Sequence, residues 1–74
     1  MNIMEPKYYY NFAEIDPSLG NMCVGVITST NNQESDVMIP IPVYDEEYAF
    51  KYYLNGKWYE DPEGKIPWKS ALLP

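Results

Sequence analysis

The side chains that most often do chemistry are sparse in this sequence. It contains no histidine, so no nucleophile activated by an imidazole base can be assembled from it. Its one cysteine, Cys23, sits in the apolar run Met22 to Val26. That setting suits a small buried hydrophobe, because a reactive thiolate needs a cationic or helix-terminal neighbourhood. A single cysteine forms no intrachain disulfide and, without histidine, supplies no soft-ligand zinc site. Carboxylates cluster twice, as Asp45-Glu46-Glu47 and as Glu60, Asp61 and Glu63 around a turn. Two acids facing across a cleft can hydrolyse glycosides, but a chain of 74 residues leaves little room for a cleft. Solvated acids are the expected state. Asp61 and Glu63 lack the ordered oxygen ladder of an EF-hand, and the glycines are scattered rather than gathered into a phosphate-cradling loop. The expectation is a protein that is not an enzyme and takes neither cofactor nor metal.

Aromatic surface is what the chain has instead. Eight tyrosines, two tryptophans and two phenylalanines bury large areas in a core or at an interface. A domain this small buries only about 60–65% of the surface of its unfolded chain, so its core is thin and gains from a partner. Not all eight phenol hydroxyls can be buried without partners of their own. The net charge of −6 argues against nucleic acid and anionic membranes as partners. No apolar run reaches the length of a membrane helix. No basic region followed by an apolar stretch marks a signal peptide, and one free cysteine fits synthesis in a reducing compartment.

These patterns predict the elements that must position the aromatics. Residues 1–6 read as an arm, 7–64 as one small domain, and 65–74 as a tail packing on the core or on a partner. The first strand is expected over 7–14, with Tyr8, Tyr10 and Phe12 on one face and Tyr9, Asn11 and Ala13 on the other. Asp16 to Asn21 reads as a turn. A second strand over 22–28 places Met22, Val24 and Val26 on one face and Cys23, Gly25 and Ile27 on the other; Gly25 marks either a bulge or a gap filled by a ring. Residues 29–36 read as a polar loop. In the segment 37–43, Pro40 and Pro42 restrict any strand to a sheet edge, or to an extended polyproline-like piece. Asp45 caps one or two helical turns. Asn55-Gly56 suits a type I′ hairpin that sets Tyr53 opposite Trp58 and Tyr52 opposite Tyr59, on opposite faces. The resulting fold class is mainly β, a small antiparallel meander of three to five short strands with an aromatic C-terminal hairpin and a docked extended tail.

The order of these pieces resembles small domains of tailed-bacteriophage virion proteins. The matching segments are Tyr8 to Asp16, Cys23 to Ile27, Met38 to Tyr48 and Tyr53 to Trp58. The resemblance covers most of the chain but is one of pattern, with no diagnostic motif and no functional residues to carry over. It implies a structural or assembly component, made in the host cytoplasm and placed in the virion, that contacts itself or other virion subunits.

Candidate contact residues follow from the aromatic and apolar segments: Tyr9, Val37, Ile39, Ile41, Tyr53, Trp58, Trp68 and Leu72. The 37–43 segment could add to a partner's sheet, or its prolines could merely protect an edge. Trp68 could close the core instead of meeting a partner. Two alternatives stand beside the structural role. One is a sugar- or peptide-binding module in which Trp58, Tyr59 and Trp68 stack on the ligand while acids and Asn55 bond its hydroxyls. The other is a small regulatory interaction protein.

Overall fold

The computed structural model describes residues 9–73. The expected arm over 1–6 and the expected strand positions Lys7 and Tyr8 lie outside the described residues. Five strands, β1 (Tyr10–Asp16), β2 (Met22–Ser29), β3 (Met38–Pro40), β4 (Tyr52–Leu54) and β5 (Lys57–Tyr59), form one antiparallel sheet in the order β3-β1-β2-β4-β5.

The antiparallel sheet, the aromatic hairpin and the docked tail are as the sequence implies. The strand order refines the meander at one connection. After β2 the polar loop carries the chain past β1, so β3 pairs with the far edge of β1. A 3-10 turn over Glu46–Tyr48 then returns it to β2. Asp45 caps this turn, as its position predicts, by accepting from the Glu47 N–H at 2.9 Å. Asp16 does the same for the 3-10 turn Pro17–Leu19, accepting from the Ser18 N–H at 2.9 Å.

The core is Ala13, Ile15, Cys23, Ile39, Ile41 and Tyr48, with Val26, Val37, Tyr53, Trp58 and Trp68 packed against it. A β-bulge decides which residues of β2 reach it. Glu14 pairs with Gly25 but Ile15 pairs with Cys23, leaving Val24 without a partner. The extra residue resets the alternation, so Cys23 and Val26 face the core opposite Ile15 and Ala13. Val24 is left exposed. The simple alternation expected for β2, with Val24 and Val26 on one face, is therefore corrected at this point. No ring fills the gap at Gly25: the space beyond its missing Cβ is open. On the other face Phe12 is buried, with Ile27 and Pro40 as its cross-strand neighbours. Tyr10 stacks beside it at 6.4 Å.

Prolines protect both edges of the sheet. On β3 the alternation turns the backbone groups of Val37, Ile39 and Ile41 toward β1; the Ile41 N–H donates to the Asn11 carbonyl at 3.0 Å, and the Ile15 N–H to that of Val37 at 2.9 Å. Position 38 points outward, but its N–H is taken by the Ser35 carbonyl at 3.3 Å. Pro40 and Pro42 have no N–H to offer. On the opposite edge the tail lies along β5, with Pro67 opposite Tyr59. The hydrogen bonds step around the proline: the Glu60 N–H donates to the Ile66 carbonyl at 2.8 Å and the Trp68 N–H to the Trp58 carbonyl at 3.0 Å. Neither edge is a ready template for strand addition.

Candidate aromatic docking groove

The C-terminal hairpin forms in the register that its turn dictates. Asn55 and Gly56 both have positive φ, 52° and 79°, the signature of a type I′ turn. Tyr53 then faces Trp58, and Tyr52 faces Tyr59. The Tyr53 and Trp58 rings meet on the core side, 5.0 Å apart.

Tyr48 connects this hairpin to the tail. Its ring is buried and meets two indoles edge-on, Trp58 at 5.1 Å and Trp68 at 4.8 Å. Such edge-to-face contacts align a ring's positive rim with a negative π face. Lys51 places its ammonium 5.0 Å from the centre of the Trp68 ring, a cation–π contact. Burial pushes the Tyr48 hydroxyl above its ordinary pKa, and the Asp45 carboxylate adds to the shift. The phenol stays neutral across the physiological range.

Two further groups hold the tail in place. Asp61 accepts from the backbone N–H groups of Lys65 at 2.9 Å and Ile66 at 2.8 Å, closing the turn that aims the tail back along β5. Desolvation raises its pKa, but the hydrogen bonds from Ile66, Lys65 and the turn outweigh that and hold it below the ordinary value. The second anchor is a buried hydrogen bond from the Ser70 hydroxyl to Asp45.

With the tail docked, Lys57, Trp58, Tyr59, Pro67, Trp68 and Lys69 line a groove of about 410 Å³. Both tryptophans are half-buried, each packed on Tyr48 and still lining the groove. The lining contains two lysines and neither a carboxylate nor a carboxamide. Asn55 stays at the hairpin tip and does not line it.

The expected contact residues divide between this site and the fold. Trp58 and Trp68 line the groove, and Tyr53 packs behind Trp58. Leu72 is exposed farther along the tail. Ile39 and Ile41 are buried in the core and Val37 packs against it, so the apolar side chains of this segment serve the sheet of their own chain. Tyr9 is exposed and lines a different groove, of about 310 Å³, with Phe12, Pro40 and Pro42. Sequence reasoning did not single out Tyr48, Pro67 or the lysines at 57 and 69. The lysines on either side of the two tryptophans were the available signal. Tyr48 had none, because three acids precede it in the sequence. Cys23 is fully buried and its thiol hydrogen bonds to the Gly25 carbonyl at 3.3 Å.

No protein-family model, curated protein or solved structure matches the chain.

Proposed function

We propose that this chain is a non-enzymatic protein-contact module that holds part of another chain, a second copy or a different protein, in the groove between β5 and the tail. The role is of the structural or assembly kind implied by the resemblance to tailed-phage virion domains. The observation that carries the reading is the gathering of Trp58, Tyr59, Pro67 and Trp68 between two lysines. Aromatic and proline walls of this sort hold extended, apolar or proline-containing peptide. Two further features favour side-chain docking of peptide in a groove: the protected sheet edges disfavour strand addition, and the acids and Asn55 expected to bond a sugar's hydroxyls do not line it.

The test is to pan a displayed random-peptide library and a glycan array with the same purified chain. Enrichment of peptides that compete with one another and are lost on the Lys57→Glu/Lys69→Glu variant supports the reading. Retention of glycans alone would replace it with the sugar-binding one.

A further inference from the structure

Phe50 is placed in an unusual way. Its φ is +70°, a region a bulky side chain rarely enters. The backbone is held there from three directions: the Phe50 N–H donates to the Cys23 carbonyl at 2.8 Å, the Lys51 N–H to the Tyr48 carbonyl at 3.0 Å, and the Cys23 N–H to the Lys51 carbonyl at 2.7 Å. Glycine would occupy this position without strain. The chain instead spends a phenylalanine there whose side chain is 70% exposed, the most exposed large hydrophobic residue among those described. Strain kept at an exposed aromatic points to a use outside the fold.

Charge indicates what meets it. Glu47 and Glu46, both exposed, lie three and four residues before Phe50, in the 3-10 turn that leads to it; Lys51, the residue after it, places its ammonium over the Trp68 ring of its own chain instead. Residues 1–50 carry eight acids and one lysine, whereas residues 51–74 carry four lysines and three acids. The aromatic groove lies in the second segment, between Lys57 and Lys69. The chain thus carries both halves of a complementary contact, an acid-flanked phenyl knob and a lysine-flanked aromatic groove.

Building on the protein-contact reading, we propose that the occupant of the groove is a second copy of this chain, which inserts Phe50 between Trp58, Tyr59 and Trp68. Glu46 and Glu47 of the inserting copy then meet Lys57 and Lys69 of the receiving copy. Reciprocal insertion about a two-fold axis closes a dimer, and head-to-tail insertion builds a longer series.

Sedimentation velocity of the full chain tests this, over concentrations from about 1 μM to 1 mM, the span of weak to moderate association. The wild type self-associates with rising concentration, and added salt weakens the association because the flanking charges are exposed. Phe50→Gly stays monomeric while melting no lower than the wild type. Lys57→Glu/Lys69→Glu and Glu46→Lys/Glu47→Lys each stay monomeric alone and associate when mixed. A wild type that is monomeric throughout, or a Phe50→Gly chain that associates as the wild type does, overturns the proposal. If the monomeric chain still enriches peptides through its groove, only self-association falls and the protein-contact reading stands.

Discussion

The hydroxyl of Ser70 donates a hydrogen bond to the carboxylate of Asp45, and both residues are buried. One carboxylate therefore does two jobs. Its first oxygen caps the turn that delivers Tyr48 to the core, and its second ties down the tail that carries Trp68. The Ser70 oxygen in turn accepts from the Leu72 N–H at 3.1 Å. The groove depends on this junction because it helps hold the tail, which supplies Pro67, Trp68 and Lys69 to the lining, against the turn that carries Tyr48.

Removing either partner should therefore affect both segments. Asp45→Ala loses a cap and a buried hydrogen bond at once and is expected to cost about 2–3 kcal/mol. Ser70→Ala should cost about 1–2 kcal/mol. A double-mutant cycle by urea denaturation should give a coupling of at least 0.5 kcal/mol or so, the range for residues in contact. Strict additivity would show that the two residues do not cooperate.

Tyr48 should be hard to replace, because its buried ring packs against both tryptophans. Tyr48→Ala opens a cavity between two indoles and is expected to cost about 3–5 kcal/mol. That is comparable with the whole stability of a marginal domain, so the variant should show no cooperative thermal transition. Tyr48→Phe keeps the ring and both edge-on contacts and should cost far less than Tyr48→Ala. If near-ultraviolet circular dichroism of Tyr48→Ala keeps the wild-type tryptophan signals, the packing assigned to Trp58 and Trp68 is wrong.

The glycines should respond differently to alanine. Gly64 has a φ of +70°, and an added Cβ would lie 3.3 Å from Leu54 and 3.7 Å from the Tyr59 ring. Gly64→Ala is expected to cost about 1–2 kcal/mol from backbone strain and crowding together. Gly25 has open space and no left-handed φ, so Gly25→Ala should be neutral or stabilise by about 0.4–1 kcal/mol through the unfolded chain. Melting temperatures of the two variants should move in opposite directions, or only the first should move.

The lowered pKa of Asp61 makes part of the stability pH-dependent. A carboxylate with a depressed native pKa contributes stability in full above its unfolded value of about 3.9. That contribution fades as the pH falls from there through the native value. The stability gap between wild type and Asp61→Asn should be constant near neutrality and narrow in acid. A gap that persists unchanged into strong acid would contradict the hydrogen-bonded ionised form described for the turn.

Cys23 offers a probe of opening. Burial pushes its thiol pKa up, and the Glu14 carboxylate reinforces the shift. Labelling by an aromatic disulfide should be slow in the folded chain and fast in urea, since only the exposed thiolate reacts. Labelling at the rate of a free thiol in native buffer would mean that the β2 bulge opens readily.

Where the controlling interactions were local, the sequence alone determined the structure. Asn55-Gly56 set the hairpin register because both positions need positive φ. Asp45 announced its cap, and Pro40 and Pro42 confined β3 to an edge because they lack donors. The tertiary structure decided what depends on residues distant in the chain. The bulge at Val24 is visible only against β1, since pairing with Glu14 and Ile15 reveals the extra residue and turns Cys23 and Val26 to the same side. The place of β3 beside β1, which buries Ile39 and Ile41, required a partner edge that no local pattern names. Tyr48 became the centre of the aromatic cluster only when the turn, the hairpin and the tail converged on it. Phe50 took its strained backbone only because Cys23 and Tyr48 hold it there, since local preference by itself would give a phenylalanine negative φ.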